Sequence, residues 1–218
     1  MTAITLYAHP FSSYCQKVLI ALYENAVLFD LRMLGTPEAD AELAALWPLK
    51  RFPVIRDGDR TVFEATSIID YLALHHPGPV RLIPADPDTA IEVRMRDRFF
   101  DNYVSTPMQT IVFDRIRHAD ARDPFGVAQA RATLDSAYAW LEAEMAARTW
   151  AAGADFTLAD CAAGPALFYA DWVHPIGEAR PALQAYRAGL LARPSFARAV
   201  DEARPFRAGF PGGAPERD

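Results

Sequence analysis

Residues 53–76 read PVIRDGDRTVFEATSIIDYLALHH. In the first half, β-prone residues flank Asp57-Gly58-Asp59, which predicts two short strands and a tight turn over 53–64. In the second half the period changes. Ile68, Ile69 and Leu72 fall on one helical face, which predicts a helix over 66–76. A hairpin that runs straight into a helix is half of a small mixed-sheet domain, and the residues upstream supply the rest.

Upstream, AITLYA (3–8) is a β-prone run ending at His9-Pro10. From Ser13 the apolar residues Tyr14, Val18, Ala21 and Leu22 recur with helical spacing, and Asn25 closes the helix. VLFDLRML (27–34) then alternates as a strand does. The order is β-α-β, a segment of no clear period, then β-β-α, which is the thioredoxin-like order, and its strand–helix–strand opening implies a parallel pair.

Downstream, HPGPVRLIPADPD (76–88) holds four prolines and a glycine and reads as a linker. Beyond it the periodicity is helical. One long helix is predicted over 89–118 with a kink at Pro107, and others over 126–148, 157–173, 179–191 and 195–203. In the third of these five segments Thr157 as N-cap and Asp160 form a capping-box variant, with Phe156 as a staple against Cys161. The closing FPGGAPERD reads as frayed. The expected organisation is an α/β thioredoxin-like N-terminal domain over 1–78, a linker over 79–87, an all-α C-terminal domain over 88–205 and a tail over 206–218.

Composition narrows the function classes. The chain has 218 residues, 51% hydrophobic and 23% charged, which is globular composition. A formal net charge of −6, with scattered arginines, gives no basic field for nucleic acid or an anionic membrane. The start, MTAITLYAHP, lacks a signal-peptide pattern, and no window is apolar enough to span a bilayer, so a reducing cytoplasm is expected. The five histidines show no metal-ligand spacing with cysteines, and there is no glycine-rich phosphate loop.

PFSSYCQKVLIAL at the first helix, RFPVI before the hairpin, FEATSIIDYL at the third helix, FTLAD and RPSFARAV occur in that order along nearly the whole chain. In this it resembles the cytosolic glutathione S-transferases, and its Ser-Ser helix start resembles their bacterial serine-type, theta- and zeta-like members. Zeta-type enzymes continue Ser-Ser-Cys, whereas here Tyr14 intervenes. The resemblance implies glutathione as co-substrate with no metal, an electrophilic small molecule as second substrate, and a homodimer.

It also implies roles for particular residues. Ser12 aligns with the serine that donates to the glutathione thiolate, and Ser13 is the alternative one residue on; the plain reading of Ser12 is a helix N-cap. Phe52 precedes Pro53, which is cis in the family, and pairs through its backbone with the cysteinyl unit of glutathione. Lys50 and Arg51 either approach the glutathione carboxylates or are solvated surface. Glu64 matches the γ-glutamyl grip, but the family serine that follows is Ala65 here, and Thr66 stands one residue late as a substitute. Phe11, Tyr103, Met108 and Ile111, with Trp172, are candidates for an apolar electrophile wall between the domains; the plain reading is core. Cys15 completes a Ser-x-x-Cys spacing and reads as packing. Three functions compete: a glutathione transferase acting in conjugation, isomerisation or dehalogenation; a non-catalytic relative that binds hydrophobic ligands or protein partners; and a disulfide reductase working through Cys15.

Overall fold

The computed structural model describes residues 4–218. The first half forms β1 (Ile4–Ala8), α1 (Ser13–Glu24), β2 (Phe29–Met33), α2 (Pro37–Leu46), β3 (Val54–Asp57), β4 (Arg60–Phe63) and α3 (Ala65–His75). Residue 3 of the expected first strand lies outside the described residues. The strands make one four-stranded sheet in the order β2-β1-β3-β4. β1 runs parallel to β2, with Leu6 opposite Leu31, and antiparallel to β3, with Leu6 opposite Ile55. The β3–β4 hairpin closes at Asp57 opposite Arg60, around Gly58 with φ +58°. This is a thioredoxin-like domain.

The segment without clear period contains α2. Its signal is local rather than periodic: Thr36 caps it by accepting from the Ala39 N–H at 3.3 Å, Pro37 sits in the first turn, and Glu38 and Asp40 follow. Ala39 and Leu43 join Tyr7, Leu34 and Val54 in a small core on that side of the sheet.

The second half is helical: α4 (Pro87–Phe99), α5 (Thr106–Ile116), α6 (Pro124–Met145), α7 (Leu158–Val173), α8 (Pro181–Ala192) and α9 (Pro194–Ala203). The single helix expected over 89–118 is instead α4 and α5 joined by a π-helical turn over Phe100–Ser105. Pro107 has no N–H to give the carbonyl four residues back. The helix widens just before it, and the Thr106 N–H and hydroxyl both reach the Asp101 carbonyl, the hydroxyl at 3.0 Å.

All sixteen residues of α7 are buried. At its start the Asp160 carboxylate accepts from the Ala151 N–H at 2.7 Å, the Thr157 N–H at 2.8 Å and the Tyr186 hydroxyl at 2.7 Å. Burial raises the Asp160 pKa while these donors oppose the shift.

The tail is not frayed, contrary to the sequence expectation. Phe210 is buried, Asp218 pairs with Arg204 and Arg207, Arg217 pairs with Asp171, and Arg115 donates to the Pro211 carbonyl at 3.0 Å. Glycine and proline content suggested disorder, but arginine–carboxylate pairs and one aromatic anchor hold the segment down.

α1 packs against α3, α7 and α9 and therefore has no solvent face. Gln16 and Lys17 are buried with its apolar residues. The Lys17 ammonium lies 2.5 Å from Asp97 Oδ1 and 2.8 Å from Asp101 Oδ2, and donates to the Thr66 hydroxyl at 3.0 Å. Arg98 closes the group from the solvent side. Lys17→Met leaves two buried carboxylates without their central cation and is expected to cost about 3–5 kcal/mol. Urea unfolding of the variant checks this, and adding Asp97→Asn should recover part of the loss.

Candidate active site

A cavity of about 500 Å³ opens between the N-terminal domain and α5. Four stretches of chain meet on it. The start of α1 contributes Ser12 and Tyr14, and the segment leading into β3 contributes Trp47 and Lys50 through Pro53. The junction of β4 and α3 contributes Phe63, Glu64 and Ala65, and α5 contributes Gln109 and Phe113.

Ser12 is the N-cap of α1, with extended backbone at φ −99° and ψ 126°. Its Oγ accepts from the Cys15 N–H at 3.5 Å, a long and weak contact that leaves the hydroxyl proton able to donate into the cavity. Ser13, the first helical residue, is buried and does not reach the cavity wall. The open end of α1 adds partial positive charge beside Ser12.

The Phe52–Pro53 peptide bond is cis. Two non-glycine residues on the wall have left-handed backbone, Lys50 at φ +54° and Glu64 at φ +68°. Each such residue costs about 1–3 kcal/mol and persists where its surroundings over-determine it. Glu64 makes no side-chain cap for α3, so the first N–H groups of that helix lack a side-chain acceptor from their own N-cap. Trp47 stacks on Phe63 at 4.1 Å, and its buried indole N–H has no protein partner among the described residues.

The structure separates other expected residues from the cavity. Thr66 does not stand in for the missing serine, because its hydroxyl donates to Asp97 Oδ2 at 2.9 Å while accepting from Lys17. Met108 and Ile111 are in the core, at 4% and 2% exposure. Tyr103 is exposed beside Phe99. Phe11 packs edge-on against Tyr169 at 5.5 Å and Phe210 at 6.0 Å, with Trp172 at 6.3 Å, in a closed aromatic cluster. The helical wall is built from the other face of α5, by Gln109 and Phe113, whose i, i+4 spacing was the signal for it. Tyr14 was missed because the apolar residues it is spaced with on α1, Val18, Ala21 and Leu22, are core; Trp47 and Phe63 come together only in the fold, 16 residues apart in sequence.

Neither thiol is available for chemistry. Cys15 and Cys161 are both fully buried and unpaired. Burial pushes the Cys15 thiol up to about 12 and raises that of Cys161 well above its ordinary value. This removes the reductase reading. An aromatic disulfide reagent at neutral pH is expected to titrate neither cysteine in the native protein and both after denaturation.

Residues 6–80 match the model of the glutathione S-transferase N-terminal domain, and residues 124–189 match that of the C-terminal domain. Glutathione S-transferase GstB of Escherichia coli is 27% identical over 203 residues, covering 90% of this chain and 97% of that protein. A stringent starvation protein A homolog of Coxiella burnetii is 25% identical over 201 residues, covering 91% and 92%. Among solved structures, a glutathione S-transferase of Methylobacterium radiotolerans in complex with glutathione sulfonate superposes with a TM-score of 0.78 at 29% identity. That match covers 91% of this chain and 95% of the other. The chain belongs to the cytosolic glutathione S-transferase family.

Proposed function

We propose that this protein is a glutathione transferase in which Ser12 stabilises the thiolate of bound glutathione for attack on an electrophilic small molecule. One observation carries the reading. The cavity has a hydroxyl at the open end of a twelve-residue helix, while both of the protein's own thiols are sealed in the core. A site arranged to stabilise a thiolate, in a chain with no accessible thiol, calls for a ligand that brings its own sulfur.

A free thiol titrates near about 8.5, and each unit by which the site lowers it is worth about 1.4 kcal/mol. A hydrogen bond from Ser12 and the end of α1 act on the same sulfur, so a shift of one to two units is within their reach. Phe52, ahead of cis-Pro53, offers backbone groups to the cysteinyl unit. Lys50, Arg51 and the unpartnered Trp47 indole on the cavity wall supply donors for the glycyl carboxylate. Glu64 and the uncapped start of α3 meet the γ-glutamyl end. Gln109 and Phe113 face the sulfur position from α5 and form the near wall for the electrophile. The relative solved with glutathione sulfonate supports the ligand class. We place the protein in the cytoplasm as a homodimer, in keeping with its family.

The alternative, a non-catalytic module, draws on the likeness to the stringent starvation protein A homolog and on Ala65. Turnover of a broad aryl-halide electrophile at millimolar glutathione separates the two. Ser12→Ala is expected to lower kcat/KM by about 10- to 1000-fold, with Ser13→Ala and Cys15→Ala within about twofold of wild type. Wild-type protein that neither binds glutathione nor turns over would favour the binding module.

A further inference from the structure

We propose that Tyr14 supplies the side-chain hydroxyl that holds an amino-acid head group at the start of α3, the contact that Ala65 does not provide. The inference rests on the glutathione reading above and specifies how its γ-glutamyl end is gripped.

Tyr14 lies on the cavity wall two residues beyond Ser12. Its ring is half-buried against the core, and its hydroxyl has no protein hydrogen-bond partner among the described residues. The charged groups that bear on it are Asp101, Arg98, Glu64 and Asp97. Tyr14 lies one helical turn before Lys17 on α1, whose ammonium meets Thr66 of α3 and Asp101, so the two side chains share the face of α1 turned to the start of α3. Burial and the neighbouring carboxylates push its pKa up to about 12, which keeps it an O–H donor throughout the physiological range.

At the α3 start the other candidates are spent or absent. Ala65 has no hydroxyl, Thr66 is committed to Asp97 and Lys17, and Ser67 is exposed and off the cavity wall. A carboxylate docked on the free N–H groups of α3 therefore has two hydroxyls across the cavity, and with Ser12 assigned to the sulfur the one left for it is that of Tyr14. Glu64 stands beside it, exposed and in no ion pair among the described residues. A bare carboxylate would be repelled by Glu64, whereas an α-amino acid brings an ammonium to pair with it. Donors for the carboxylate next to a carboxylate for the ammonium make this end complementary to a zwitterion, which is what the γ-glutamyl unit presents.

Calorimetric titration of the full chain with two ligands tests this: glutathione, and the analogue with 4-aminobutyryl in place of γ-glutamyl, which lacks only the α-carboxylate. Tyr14→Phe keeps the ring and is expected to weaken glutathione binding about tenfold. The same variant should bind the decarboxylated analogue within about twofold of wild type, because the group Tyr14 addresses is missing from that ligand. Adding Ala65→Ser to Tyr14→Phe should restore most of the lost affinity. Equal glutathione affinity in wild type and Tyr14→Phe would overturn the proposal, as would an equal loss for both ligands. Wild-type protein that binds no glutathione would instead overturn the underlying reading.

Discussion

The buried ammonium of Lys17 is the constraint on which both domains depend. It sits on α1, takes Asp97 and Asp101 from α4 and the π-helical turn, and holds Thr66 of α3. Removing a lysine and two carboxylates from water costs several kcal/mol per ion, and only close mutual pairing offsets it. The ions are therefore tolerable in one arrangement, with α1, α3 and the π-helical turn brought together. Burial raises the Asp101 pKa against the pull of Lys17, so the cluster is tuned by both effects. Because Thr66 is bound into it, the start of α3 is fixed relative to the start of α1, and these two helix ends face each other across the cavity.

The consequences reach the site through that geometry. α1 is buried between its ends, and at its first turn Ser12 and Tyr14 look into the cavity. Its cysteine is packing. α3 likewise presents only its N–H groups and Glu64, because Thr66 is turned to the ion cluster. The protein spends its polar side chains on joining domains and leaves helix ends, two hydroxyls and strained backbone at Lys50 and Glu64 to meet a ligand.

Most of the fold was legible in the sequence because it rests on local signals. Asp57-Gly58-Asp59 fixes the hairpin, helical spacing fixes α1 and α3, and the prolines at 77–87 mark the change from sheet to helices. α2 was missed although Thr36-Pro37-Glu38 is a helix start, since its short apolar face gives no period. The site divides in the same way. Ser12, Lys50, Phe52, Pro53, Glu64 and Ala65 sit in compact motifs and share one cavity. The helical wall was not legible: spacing along α5 defines a face but not which neighbour it meets, so Met108 and Ile111 were chosen where Gln109 and Phe113 stand. Thr66 was misplaced because its partners are 31 and 49 residues away, and no local pattern reports such a contact.

The central claim is that the N-terminal end of α1, with Ser12, lowers the pKa of a thiol the protein does not own. The direct measurement is the ultraviolet absorbance of glutathione thiolate in the complex, titrated against pH for wild type and Ser12→Ala. The account predicts an apparent pKa about one to two units below the free value of about 8.5 in wild type, moving back towards it in Ser12→Ala. A bound thiol that titrates as it does in free solution in both proteins would contradict it.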